Sequence, residues 1–190
     1  MIIVGEPNGA GKSTSAPHLI RDLLGINTYV NADLIADGLA GFSPEQVGLK
    51  AGRIMLERLK ELGQKGESFA FETTLAGKNF ARFLTQLKTR QNYHVYLMFL
   101  WLPSPEQALS RVRDRVIRGG HDIPEEVVRR RYHRGIYNFF HVYEPIADSW
   151  SFIDNSNPDG PQTVANKTPS SVPSVMDSPK WEAIREQAND

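Results

Sequence analysis

Residues 5 to 14 read GEPNGAGKST, and the glycines and the lysine stand at spacings that suit phosphate chemistry. Consecutive backbone N–H groups leading into a helix N-terminus make a cradle for phosphate oxygens. Gly9 and Gly11 let the backbone come close, Lys12 reaches the terminal phosphates, and Ser13 can ligate Mg²⁺. Asn8, Ala10 and Thr14 complete the loop. The pattern G-x-x-x-x-G-K-[S/T] also asks for glycine in its first slot, where this chain has Glu6. Gly5 could take the sharp turn instead, or the slot could tolerate a side chain directed to solvent. A third reading is that the carboxylate weakens triphosphate binding by like-charge repulsion. The expected ligand is ATP with Mg²⁺.

A carboxylate opposite such a loop can orient and deprotonate an acceptor hydroxyl. Asp33 in NADLIADG and Glu72 in FETT are the two candidates, with Thr73 beside the second. Asp33 could instead cap the helix that follows, and Glu72 could pair with a lysine or arginine. Eight of the fourteen arginines fall between Arg111 and Arg134. Arg111, Arg115 and Arg118 recur at helical spacing beside an apolar face of Ala108, Leu109, Val112 and Val116. Gly119 and Gly120 end that helix, Pro124 opens the next, and Arg130 and Arg134 share one of its faces. Two arginine-bearing helices about a glycine hinge suit a lid over a triphosphate, because the guanidinium fork stabilises the charge of a transferring phosphoryl group. Pairing with Glu106, Glu125 and Glu126 would take up Arg113 and Arg129. His121, in the hinge, could touch phosphate or substrate, or be a structural histidine.

These groups need a scaffold that brings them together. Short apolar runs at Ile2–Val4, Thr28–Val30, Phe69–Phe71, Val95–Leu102 and Trp150–Ile153 alternate with helical patterns. One helix is expected from about Lys12 to Leu24, others from Ser43-Pro44-Glu45-Gln46 to near Gly63, from Lys78 to Lys88, from Ser104-Pro105-Glu106-Gln107, and from Pro124. Alternation of this kind implies parallel βαβ units, here an α/β sheet of five parallel strands with helices on both faces. Ligands bind beyond the carboxyl ends of such strands, where Asp33 and Glu72 both fall. From Gly160 to Pro179 the chain turns rich in Pro, Ser, Thr and Asn and is expected to be a poorly structured tail, with WEAIREQ as a short terminal helix.

Composition narrows the classes. The chain has 190 residues, fitting one domain, and balances 22 basic against 22 acidic residues, so net charge points to neither nucleic acid nor membrane. It has no cysteine, which excludes disulfides and thiolate metal sites. VYLMFLWL is too short to span a bilayer, and no leader pattern precedes IIV, so a cytoplasmic location is expected.

With PNGAGKST, YVNAD, FETTLAG, RVRDRVIRGGHDIPEEVVRRRY and FIDNS in this order over residues 1 to 156, the chain resembles the zeta-toxin family of P-loop kinases, in particular its compact bacterial branch. The resemblance implies an ATP- and Mg²⁺-dependent kinase domain over 1–156 with a nucleotide-kinase-like P-loop fold, an arginine-rich lid around 111–134, and a partly disordered tail over 157–190. It implies Lys12 as the loop lysine, Asp33 as the base, Glu72 and Thr73 at the acceptor site, and lid arginines among Arg115, Arg118, Arg130 and Arg131. Characterised toxins of the family phosphorylate a sugar hydroxyl of UDP-N-acetylglucosamine, so the resemblance implies a small hydroxyl acceptor such as a UDP-sugar and names an antitoxin protein as a candidate partner. The chain departs from the family at Glu6 and is shorter than the characterised toxins.

Rival classes lack their marks. The ABC-type ATPases share PNGAGKST but need an LSGGQ-like segment and a strand ending in Asp-Glu, whereas the long strand here ends Leu102-Pro103-Ser104. A GTPase needs N-K-x-D, and Asn166-Lys167-Thr168-Pro169 lacks the aspartate. A polynucleotide kinase, whose arginines would contact nucleic acid, and a non-catalytic nucleotide-binding module remain as alternatives.

Overall fold

The computed structural model describes residues 1–10, 20, 25–39, 44–120 and 122–189. The helix expected from about Lys12 to Leu24 lies outside the described residues, Ile20 excepted. The strands are β1 (Ile2–Gly5), β2 (Tyr29–Val30), β3 (Ala70–Thr73), β4 (Tyr96–Trp101), β5 (Ser149–Asp154), β6 (Gln162–Lys167) and β7 (Ser174–Val175). The helices, in chain order, are α1 (Ala32–Asp37), α2 (Pro44–Gln64), α3 (Asn79–Gln91), α4 (Pro105–Ile117), α5 (Glu125–Asn138) and α6 (Ser178–Gln187). A π-helical turn, Phe139–Tyr143, continues α5.

One sheet carries all seven strands in the order β2-β3-β1-β4-β5-β6-β7. Its first five members pair in parallel, and β6 and β7 extend it antiparallel. The expected sheet of five parallel strands is therefore corrected to a mixed sheet of seven. The difference comes from the segment read as a poorly structured tail. In β6 only Val164 and Ala165 are buried, among polar neighbours, so no hydrophobic period marks the strand. Its place is set by backbone pairing with β5, from Trp150↔Lys167 to Asp154↔Gln162, which any sequence without proline can make.

Central strands are apolar because both of their faces are covered. All of β1 is buried, as is β4 from Leu97 to Trp101. In β5 the burial alternates, and Trp150 and Phe152 point into the core. On these rings α6 docks: Trp181 stacks on Trp150 with centroids 5.6 Å apart and meets Phe152 at 5.3 Å. Burying an aromatic of this size is worth about 3 kcal/mol, enough to hold a ten-residue helix whose own propensity is marginal. Lys180 then reaches the buried Asp154 at 2.9 Å. Among the described residues no helix is long and apolar enough to cross a membrane.

The capping signal read at Ser104 is present. Its hydroxyl accepts the Gln107 N–H at 3.2 Å, with Pro105 in the first turn. The helix stops as expected: Gly119 adopts φ +86°, a conformation strained for any residue with a Cβ, and the Gly120 N–H closes on the Arg115 carbonyl. Val116 does not join the apolar face. It and Ile117 are exposed, so the last turn of α4 projects past the core. α5 is tied over the strand ends by Tyr132 Oη to the Leu102 carbonyl (2.8 Å) and Asn138 Nδ2 to the Leu75 carbonyl (2.7 Å).

Candidate active site

The loop leaves β1 at the carboxyl edge of the sheet. The Glu6 N–H donates to the Thr73 carbonyl at 3.1 Å, and the Ala10 N–H closes a turn on the Pro7 carbonyl at 3.2 Å. Gly9 sits at φ +89°, and a Cβ there would lie 2.5 Å from the Ala108 carbonyl oxygen of α4. Glycine is required both by conformation and by that contact. The Ala10 carbonyl accepts from Arg111 Nη1 (3.5 Å) and from Asn155 Nδ2, and Arg111 Nη2 binds the Asn155 carbonyl at 2.9 Å. The loop is thus held between α4 and the end of β5. Gly11, Lys12, Ser13 and Thr14 lie outside the described residues, as does His121.

The first-slot glutamate does not face solvent. Glu6 is buried to 1 % exposure, and its charge is near enough to Tyr29 to help raise that hydroxyl's pKa.

Both expected carboxylates stand at the same edge. Asn31, not Asp33, caps α1: its Oδ1 accepts the N–H groups of Asp33 (2.6 Å) and Leu34 (3.3 Å). Asp33 is in the first turn with its side chain exposed and no capping duty. Glu72 is buried, and its Oε2 accepts from Asn31 Nδ2 at 2.8 Å and from the Tyr29 hydroxyl. Burial first, then the charge of Glu72 and the bond to it, push the Tyr29 hydroxyl far above its ordinary range, so it stays a donor. Thr73 spends its Oγ1 on the Leu75 N–H at 3.2 Å, stabilising a turn in which Leu75 takes φ +52°.

The arginines divide. Arg113 meets Glu125 at 3.4 Å, and Arg129 meets Glu106 at 2.6 Å and Glu125 at 2.8 Å, so these pair with acids at the surface. Arg131 turns inward and donates from Nη1 to Asn8 Oδ1 at 3.2 Å. Burial lowers its pKa, nearby Asp33 opposes that, and Arg130 adds to it. Among the described residues Arg131 has no carboxylate within 4 Å.

A cavity of about 430 Å³ joins these groups. Asn8, Asp33, Glu72, Thr73 and Arg131 all line it. Of the four lid candidates only Arg131 reaches it, whereas Arg115, Arg118 and Arg130 do not. Arg53 and Phe80 also line the wall and were not singled out from the sequence. Arg111 and Asn155 hold the loop, and nothing in their spacing within RVRDRVIRGG and FIDNS marks that role in the sequence. Gly9 in a glycine-only conformation and a half-buried arginine beside Asn8 both fit a triphosphate. Among the described residues no three acidic or histidine side chains gather as a metal site.

No family model matches the chain. A protein of Haemophilus influenzae, described only as uncharacterized, is 29% identical over 125 residues, covering 66% of this chain and 86% of its own. The AvrRxo1-ORF1:-ORF2 complex with ATP has a TM-score of 0.76 at 20% identity, over 96% of this chain and 62% of that one. The PezAT chromosomal toxin-antitoxin system of Streptococcus pneumoniae gives 0.60 at 16% identity, over 99% and 85%. This chain thus spans 62% of the AvrRxo1 chain it matches. At these identities the likeness is one of fold alone: the chain shares the fold of these AvrRxo1 and PezAT structures.

Proposed function

We propose that this chain is an ATP-dependent phosphotransferase that moves the γ-phosphoryl group onto a hydroxyl of a small metabolite. The observation that carries the reading is the meeting of Asn8 from the loop, Asp33, Glu72 and Arg131 around one cavity. Lys12 and the loop amides would hold the triphosphate, and Ser13 would hold Mg²⁺, which screens charge on the phosphates when bound. Asp33, exposed and free of capping, would take the proton of the attacking hydroxyl. The new oxygen–phosphorus bond forms as the bond to the β-phosphate oxygen breaks, leaving ADP. Arg131 would stabilise charge on the transferring group, and Glu72 and Thr73 would bind the acceptor.

A UDP-sugar acceptor is the finer proposal, supported by the sequence resemblance and by Asn31, Asp33, Arg53, Glu72 and Arg131 in the cavity lining. The fold likeness to a toxin-antitoxin system and to an ORF1:ORF2 complex supports an antitoxin-like partner. A cytoplasmic location, where ATP is abundant, fits both.

Incubation with ATP and a panel of UDP-sugars, nucleosides and oligonucleotides, read by mass spectrometry, tests the reading. Phosphate on a small hydroxyl compound is the expected result. Transfer to oligonucleotide ends alone would make the chain a polynucleotide kinase. ATP binding without transfer to any of them would make it a nucleotide-binding module.

A further inference from the structure

Resting on the phosphotransferase reading, we infer that Asn31 is a positioning residue that locks the acceptor-site carboxylate to the helix carrying the base. A carboxamide is planar and rigid, with an acceptor on one arm and donors on the other. Here the two arms serve different elements. Oδ1 accepts the Asp33 and Leu34 N–H groups at 2.6 and 3.3 Å, which fixes the first turn of α1. With the oxygen so placed, the NH₂ arm faces Glu72 Oε2 at 2.8 Å.

The Tyr29 hydroxyl closes on the same carboxylate oxygen, so Glu72 is held from two sides in a site where it is 7 % exposed. Among the described residues no side chain hydrogen-bonds the Asp33 carboxylate, so its placement in the cavity is that of the α1 first turn. One side chain therefore sets where Asp33 stands relative to Glu72. A serine or aspartate would cap α1 about as well. Only an amide also donates to a buried carboxylate across the gap. The structure assigns Asn31 its identity through that second bond.

The informative variant is Asn31→Asp, which keeps the cap and turns the donor toward Glu72 into a second carboxylate oxygen. With UDP-N-acetylglucosamine as acceptor probe, its KM is expected to rise about tenfold and kcat to fall, while ATP affinity stays within about twofold. Asn31→Ser, a cap too short to span to Glu72, should show a smaller rise. A second arm needs no activity. Asn31→Asp should lower the melting temperature, and the double variant Asn31→Asp with Glu72→Gln should recover it, because the glutamine amide donates back to the aspartate. Recovery of melting without recovery of the acceptor KM is expected, since the carboxylate is gone.

If the wild-type chain transfers phosphate and Asn31→Asp does so with unchanged acceptor KM, the inference fails while the phosphotransferase reading stands. If the wild type transfers to no acceptor, that reading fails, and the melting cycle still decides the Asn31–Glu72 bond. Melting of Asn31→Asp identical to wild type would reduce Asn31 to a helix cap and overturn the inference.

Discussion

Arg129 and Arg131 are two residues apart on α5 and do different things. Two positions turn a helix by about 200°, which sends one side chain outward and the other inward. Arg129 lies against Glu106 and Glu125 in solvent, and such exposed pairs contribute little. Arg131 is half-buried against Asn8 of the loop, with burial lowering its pKa and Asp33 nearby. A cation with no acidic partner within ion-pair distance among the described residues, placed at a cavity wall, is suited to a ligand's negative charge. The difference teaches that charge density in RVRDRVIRGGHDIPEEVVRRRY marks a region, and rotation about the helix selects the residue.

That contrast can be broken by substitution. Arg131→Ala should lower the rate of phosphoryl transfer about a hundredfold or more, with ATP binding weakened less. Equal losses in Arg130→Ala would instead spread the role over both arginines. Arg131→Lys keeps the charge but loses the planar fork, and about a tenfold loss is expected in the same assay.

The contrast between exposed and buried ion pairs can be sharpened at Asp154. Burial works to raise its carboxyl, but hydrogen bonds from Ser156 and Lys180 outweigh it and hold the pKa below the ordinary value. A depressed folded-state pKa contributes stability that is present above the unfolded value of about 4 and is lost as pH falls below it. Lys180→Ala should therefore cost about 1 to 2 kcal/mol in chemical denaturation near neutral pH. The gap from wild type should narrow as the medium is acidified. The smallest effect is expected at Arg129→Ala, with transfer and melting both unchanged within measurement scatter. A clear loss there would mean that the pairs from Arg129 to Glu106 and Glu125 hold α5 in its working position.

The parallel half of the sheet was legible because buried strands must be apolar, and IIV and VYLMFLWL show it directly. The antiparallel extension was not, because Val164 and Ala165 give too short a pattern and backbone pairing leaves no trace in residue type. Asp33 and Glu72 were legible from their places near the carboxyl ends of β2 and β3. Which residue caps α1 was not, since Asn31 and Asp33 are both good caps and only geometry separates them. Glu6 could be flagged as a departure, but its burial appears only in the folded chain.

The most direct test of the central claim is transfer and ATP binding measured side by side in Asp33→Asn. Asparagine keeps the size of the side chain and removes the proton acceptor. The account predicts that ATP binds as in wild type while phosphoryl transfer to the hydroxyl falls by about a thousandfold. Transfer at the wild-type rate would contradict it, because the carboxylate sharing the cavity with Asn8 and Arg131 would then have no part in the chemistry.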